Sequence, residues 1–76
     1  MKRRKLIELR KQRNLTQRQV AESLGISEVY VRKIEKGDSN PGRETMVKFQ
    51  QFYQYELTEL FPDIFLINFD TECINQ

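Results

Sequence analysis

Apolar residues over the first sixty positions recur three and four apart, the spacing of one face of an α-helix. Leu6 and Leu9 begin the pattern within positions 5–13, with Arg10 and Arg13 on the same side, which predicts a short amphipathic helix. Asn14 follows where a left-handed residue can close a helix, a conformation that asparagine tolerates better than most. Val20, Ala21 and Leu24 form a second, narrow stripe, preceded by a capping-box signature in Thr16 and Gln19 and stopped by Gly25. Ser27 is a good N-cap for a third helix, in which Glu28 suits the positive start and Lys36 the negative end before Gly37 terminates it.

Residues 37–42, GDSNPG, are a cluster of turn formers and read as a loop. Met46, Phe49 and Tyr53, with Phe52 beside them, predict a fourth helix over residues 43–53, with Gly42 as its N-cap. A short fifth helix over 57–61 is ended by Pro62. Beyond it Ile64, Phe65, Leu66, Ile67 and Phe69 are β-branched, aromatic or aliphatic on both faces, which favours an extended strand. The expectation is therefore an all-α fold of five helices plus a short C-terminal β-strand, divided into a helical domain at 1–61 and a tail at 62–76. Seventy-six residues leave room for one small core.

The third helix carries the chemistry. At 100° per residue, Tyr30, Val31 and Ile34 share one side, while Glu28, Val29, Arg32, Lys33 and Lys36 share the other. One side suits a core and the other is cationic. Only Gly25, Ile26 and Ser27 separate the second helix from the third, a turn that suits two helices crossing steeply. Such a pair can lay one helix across phosphates and set the other in the major groove, which is wide enough to admit it. Charge agrees with this. All thirteen basic residues fall within 1–48 against six acids, leaving +7, whereas 49–76 hold five acids and no base. A cationic half of this kind suits a phosphate backbone.

Composition closes other routes. With no histidine and one cysteine, Cys73, the chain lacks the commonest general base, any internal disulfide and a cysteine-rich metal site, so no metal and no cofactor are expected. Glu56 and Glu59 lie on a short helix without a nucleophile or pocket, which argues against an enzyme. The basic start is not followed by an apolar stretch, and no run approaches the ~20 residues of a membrane span, so a cytoplasmic protein with no membrane partner is expected. Asn14-Leu15-Thr16 matches a glycosylation acceptor and Gly37 to Gly42 matches phosphate-loop spacing. The first needs a secreted chain, and the second lacks both the following Lys-Ser/Thr and a preceding strand.

The segment LTQRQVAESLGISEVYVRKIEKGDSNPGRETM resembles the phage-repressor-like (XRE, or lambda-repressor-like) helix-turn-helix transcriptional regulators. Their pattern runs Leu-Thr-Gln, Leu/Val-Ala, Gly-hydrophobic-Ser, hydrophobic, Ile-Glu-x-Gly, then Pro and a fourth helix. The likeness continues through Leu57-Thr58-Glu59-Leu60-Phe61 and covers residues ~5–61. It implies that Thr16, Gln17, Arg18 and Ser27 meet phosphates, as do Lys36, Asn40 and Arg43, and that Glu28, Val29, Arg32 and Lys33 face base edges. Glu56 and Gly42 depart from the family's usual Ser or Thr caps. Each residue also has a plainer reading: Arg32, Lys33 and Lys36 as a solvated face, Glu28 as a helix-dipole residue, Tyr30 as packing.

Arg10 and Glu35 both point to one core edge, and a partly buried charge left alone is costly, so an ion pair tying the first helix to the third is expected. Such a pair is also common in the family that the segment resembles. The tail residues Ile64, Phe65, Leu66, Ile67 and Phe69 suit antiparallel pairing with a second copy, giving a homodimer on a palindromic operator in double-stranded DNA. The same tail could instead fold back over its own core or, in an antitoxin-type protein, dock on a partner toxin while the helices autoregulate the operon. The reading is a small dimeric DNA-binding repressor of phage or mobile-element type, with the antitoxin as its alternative.

Overall fold

The computed structural model describes residues 2–65. Five α-helices run in order, α1 Arg4–Gln12, α2 Gln17–Leu24, α3 Glu28–Lys36, α4 Arg43–Tyr53 and α5 Leu57–Leu60. Local signals set most of their ends. Thr16 Oγ1 accepts from the Gln19 amide at 3.1 Å while Gln19 Oε1 accepts from the Thr16 amide at 2.8 Å, closing a reciprocal cap. Ser27 Oγ accepts from the Tyr30 amide at 3.0 Å. Gly25 and Gly37 end α2 and α3 at φ 72° and 85°, where a Cβ would strain the backbone. Asn14 takes the left-handed conformation after α1, at φ 57°.

The end of α4 is set differently. Gln54 occupies the left-handed cap at φ 60°. Arg13 reaches over from the end of α1 and donates to the Phe52 and Tyr53 carbonyls at 3.1 and 2.9 Å. A distant side chain thus satisfies carbonyls that a helix end leaves open.

The apolar stripes converge on one core: Leu6 and Leu9 of α1, Val20, Ala21 and Leu24 of α2, Val31 and Ile34 of α3, Phe49 and Tyr53 of α4, and Leu60 with Phe61 at α5. Phe49 stacks near-parallel on Tyr53 and edge-on against Phe61. The arrangement leaves the outer side of α3 uncovered.

The chain after α5 corrects the expected strand. Residues 62–65 form a sixth helical segment, with the Ile64 and Phe65 amides donating to the Phe61 carbonyl at 3.0 and 3.1 Å. α5 stops just before Pro62, as expected from sequence, and Pro62 then opens this further turn. At a first helical position its missing N–H is not needed and its fixed φ is already helical. Ile64 and Phe65 pack against the core of their own chain, and this burial overrides the β preference of their side chains. Leu66, Ile67 and Phe69 lie outside the described residues. Among the described residues the fold is all-α, with no strand.

Candidate nucleic-acid interface

Residues on the two sides of α3 have opposite environments. Val31 and Ile34 are fully buried and Glu35 nearly so, whereas Glu28, Val29, Arg32, Lys33 and Lys36 are all exposed. Val29 is 48% exposed, the one large apolar side chain among the described residues that stands out from the surface in this way. A solvated charged face gains nothing from a bare valine, whereas a methyl-rich surface in the major groove does. Tyr30 is partly buried and packs against the core, which is its plainer reading.

The residues expected from sequence to meet phosphates lie at the starts of α2, α3 and α4, at the end of α3 and in the loop after it. Thr16, Arg18, Ser27, Asn40 and Arg43 are exposed and Gln17 is half-buried. The starts of α2 and α3 offer backbone N–H groups and positive dipole ends to an anion. Thr16 and Ser27 use their side-chain oxygens as acceptors in caps, which leaves each hydroxyl hydrogen available to a phosphate. Arg18 lies 3.4 Å from Glu22 on the same helix, an exposed pair that holds it weakly. Gln17 is more firmly engaged, donating from Nε2 to Glu35 Oε1 at 3.0 Å.

The structure brings Arg10 and Glu35 together in a two-pronged pair, Nε to Oε2 at 2.8 Å and Nη2 to Oε1 at 3.2 Å, while Nη1 donates to the Leu15 carbonyl at 3.1 Å. Glu35 therefore holds α1 through Arg10 and the start of α2 through Gln17. This carboxylate is one tie between α1 and the helix-turn-helix, beside the packing of Leu6 and Leu9 in the shared core. Behind it, the Tyr53 hydroxyl is buried with no hydrogen-bond partner among the described residues. Burial, and then the Glu35 carboxylate, push its pKa up to about 12, against the opposing pull of Arg10 and Arg13.

The sequence pattern assigned no role to Arg3 or to its partner Asp63. Arg3 precedes α1, and its side chain is fully buried. Its amide donates to the Glu35 carbonyl at 2.9 Å, and its guanidinium reaches the end of α3, the loop after it and Asp63. Carrying the Leu6 and Arg10 stripe one turn back arrives at Arg3, a faint signal because the residue lies outside the periodic segment. No group of three His, Cys, Asp or Glu side chains among the described residues is placed to hold a metal ion.

The helix-turn-helix family model matches residues 6–60. Over 59 residues the chain is 36% identical to the cryptic phage CTXphi transcriptional repressor RstR of Vibrio cholerae, an alignment covering 78% of this chain and 53% of that protein. The chain thus spans about half the length of this curated relative. No solved structure gives a significant match.

Proposed function

Because the chain belongs to the helix-turn-helix family, we propose that it is a sequence-specific DNA-binding transcriptional repressor that inserts α3 into the major groove. The observation that carries this reading is the outward face of α3, where the exposed Val29 stands among the exposed charges Glu28, Arg32, Lys33 and Lys36. Arg32 and Lys33 have the chemistry to donate to guanine O6 and N7, Glu28 to accept from cytosine N4, and Val29 to cover a thymine methyl. Arg18 and Arg43, with Thr16, Ser27 and Asn40, would fix the register on the backbone without reading sequence. The similarity to a phage repressor supports the sense of regulation.

The working unit in this proposal is a homodimer in the cytoplasm, with two reading helices ~34 Å apart on a near-palindromic operator. With roughly 4–6 phosphates neutralised per subunit, log K falls by ~0.9 per phosphate as log salt rises. Selection of bound duplexes from a random pool tests the proposal. A symmetric enriched sequence is expected, bound with steep salt dependence. No enrichment, or a flat salt response, contradicts it.

A further inference from the structure

We propose that Arg3 is a positioning residue for DNA binding, holding the amide of Asn40 with its oxygen inward and its NH2 outward as a ready phosphate donor. The inference rests on the DNA-binding reading above. It starts from the donors of one side chain. Arg3 Nε donates to Asp63 Oδ1 at 3.1 Å and Nη2 to Asp63 Oδ2 at 2.9 Å. Nη1 donates to the Ile34 and Ser39 carbonyls at 2.7 and 2.9 Å, and Nη2 also donates to Asn40 Oδ1 at 2.7 Å. All five N–H groups of the guanidinium are thereby used, and Phe61 covers it at 5.4 Å.

The chemistry of arginine settles which way the Asn40 amide points. A guanidinium has donors and no acceptor, so the atom it meets must be the amide oxygen. The NH2 is then the opposite end of the amide, on a residue that is exposed beyond the end of α3. Pro41, next in the chain, is buried and limits how far the loop can shift. Arg3 holds the Ile34 carbonyl in α3 and the Ser39 carbonyl in the loop with the same nitrogen, so the donor is registered to the reading helix. Asp63 balances the buried charge and links this cluster to the segment at 62–65.

The test is a double-mutant cycle on DNA affinity, measured on the full chain with the selected duplex at a temperature where circular dichroism shows every variant folded. Asn40→Ala is expected to weaken binding about tenfold, the loss of one hydrogen bond to a charged acceptor. Arg3→Lys keeps a charge for Asp63 but has no fork to span the three groups, and is expected to weaken binding about fivefold. In the Asn40→Ala background, Arg3→Lys is expected to change affinity by less than about twofold, because the group it positions is already gone. Equal losses from Arg3→Lys in both backgrounds, or no loss in the wild-type background, overturn the inference.

Asn40→Asp decides the matter should Arg3→Lys not fold. It keeps an acceptor for Arg3, so the melting temperature is retained, but turns an anion toward the phosphate, so affinity falls further than in Asn40→Ala. Wild-type affinity in Asn40→Asp overturns the inference. A wild-type chain that binds no duplex overturns the DNA-binding reading itself, and this inference with it.

Discussion

Arg3, fully buried just before α1, and Arg10, partly buried within it, each hold a carboxylate, and they tie different things together. Arg10 pairs with Glu35, whose carboxylate is 3% exposed, and the partners of that carboxylate all belong to α1 and α2. Arg3 pairs with Asp63, which is 22% exposed, and reaches carbonyls at the end of α3 and in the loop beyond. The first pair locks helices to one another within the core. The second ties the end of α3 to the loop and to the last described turn. The two differ in what each leaves stranded when removed: Arg10 leaves a desolvated carboxylate, Arg3 leaves one that water can reach.

That contrast sets an order of effects. Arg10→Ala is expected to cost ~3–5 kcal/mol in chemical denaturation, the largest loss of any single truncation considered, because Glu35 keeps only Gln17 as a partner. An unchanged melting temperature would remove the pair from the account. Arg3→Ala is expected to cost about 2–3 kcal/mol, since Asp63 can be hydrated but the Ser39 carbonyl loses the guanidinium and the Ile34 carbonyl keeps only the Gly37 amide. A loss greater than that of Arg10→Ala would reverse the comparison.

Arg32→Ala or Lys33→Ala should leave stability almost unchanged and lower specific DNA affinity by ~1–3 kcal/mol, the signature of a base contact. Arg18→Ala should instead weaken all sequences alike and reduce the salt slope by about one phosphate.

Tyr53 sharpens the comparison from the core side. Its neutral form is favoured in the fold, so its contribution is fully present below pH 10 and is lost as pH rises toward about 12. By pH 11, between the two values, the loss is about 1.4 kcal/mol relative to Tyr53→Phe, which lacks the titrating group. Near neutral pH the same substitution removes a hydroxyl with no partner among the described residues and is expected to change stability by less than about 1 kcal/mol. Urea titrations of both proteins at pH 7 and pH 11 measure the two effects.

Much of this was legible in the sequence because the signals are local. Thr16 with Gln19, Ser27, Gly25 and Gly37 sit within a turn of the groups they cap, so the ends of α2 and α3 followed from short spacing rules. The outward face of α3 followed from 100° periodicity alone. What escaped reading depends on partners distant in the chain. Gln54 can close α4 without a glycine because Arg13, some forty positions earlier, serves the last carbonyls. Residues 62–65 coil because Ile64 and Phe65 find the core and Asp63 finds Arg3, and neither partner can be seen from a window of β-favouring residues. The Gln17 side chain donates to Glu35, eighteen positions on, which no local spacing rule shows.

The central claim is that the exposed side of α3 reads bases, and the most direct measurement is duplex selection repeated with Arg32→Ala beside the wild type. The account predicts that both proteins enrich a symmetric sequence and that the variant loses its preference at one base pair in each half-site while keeping the rest. An identical motif from the two proteins, or no enriched sequence from the wild type, would contradict it.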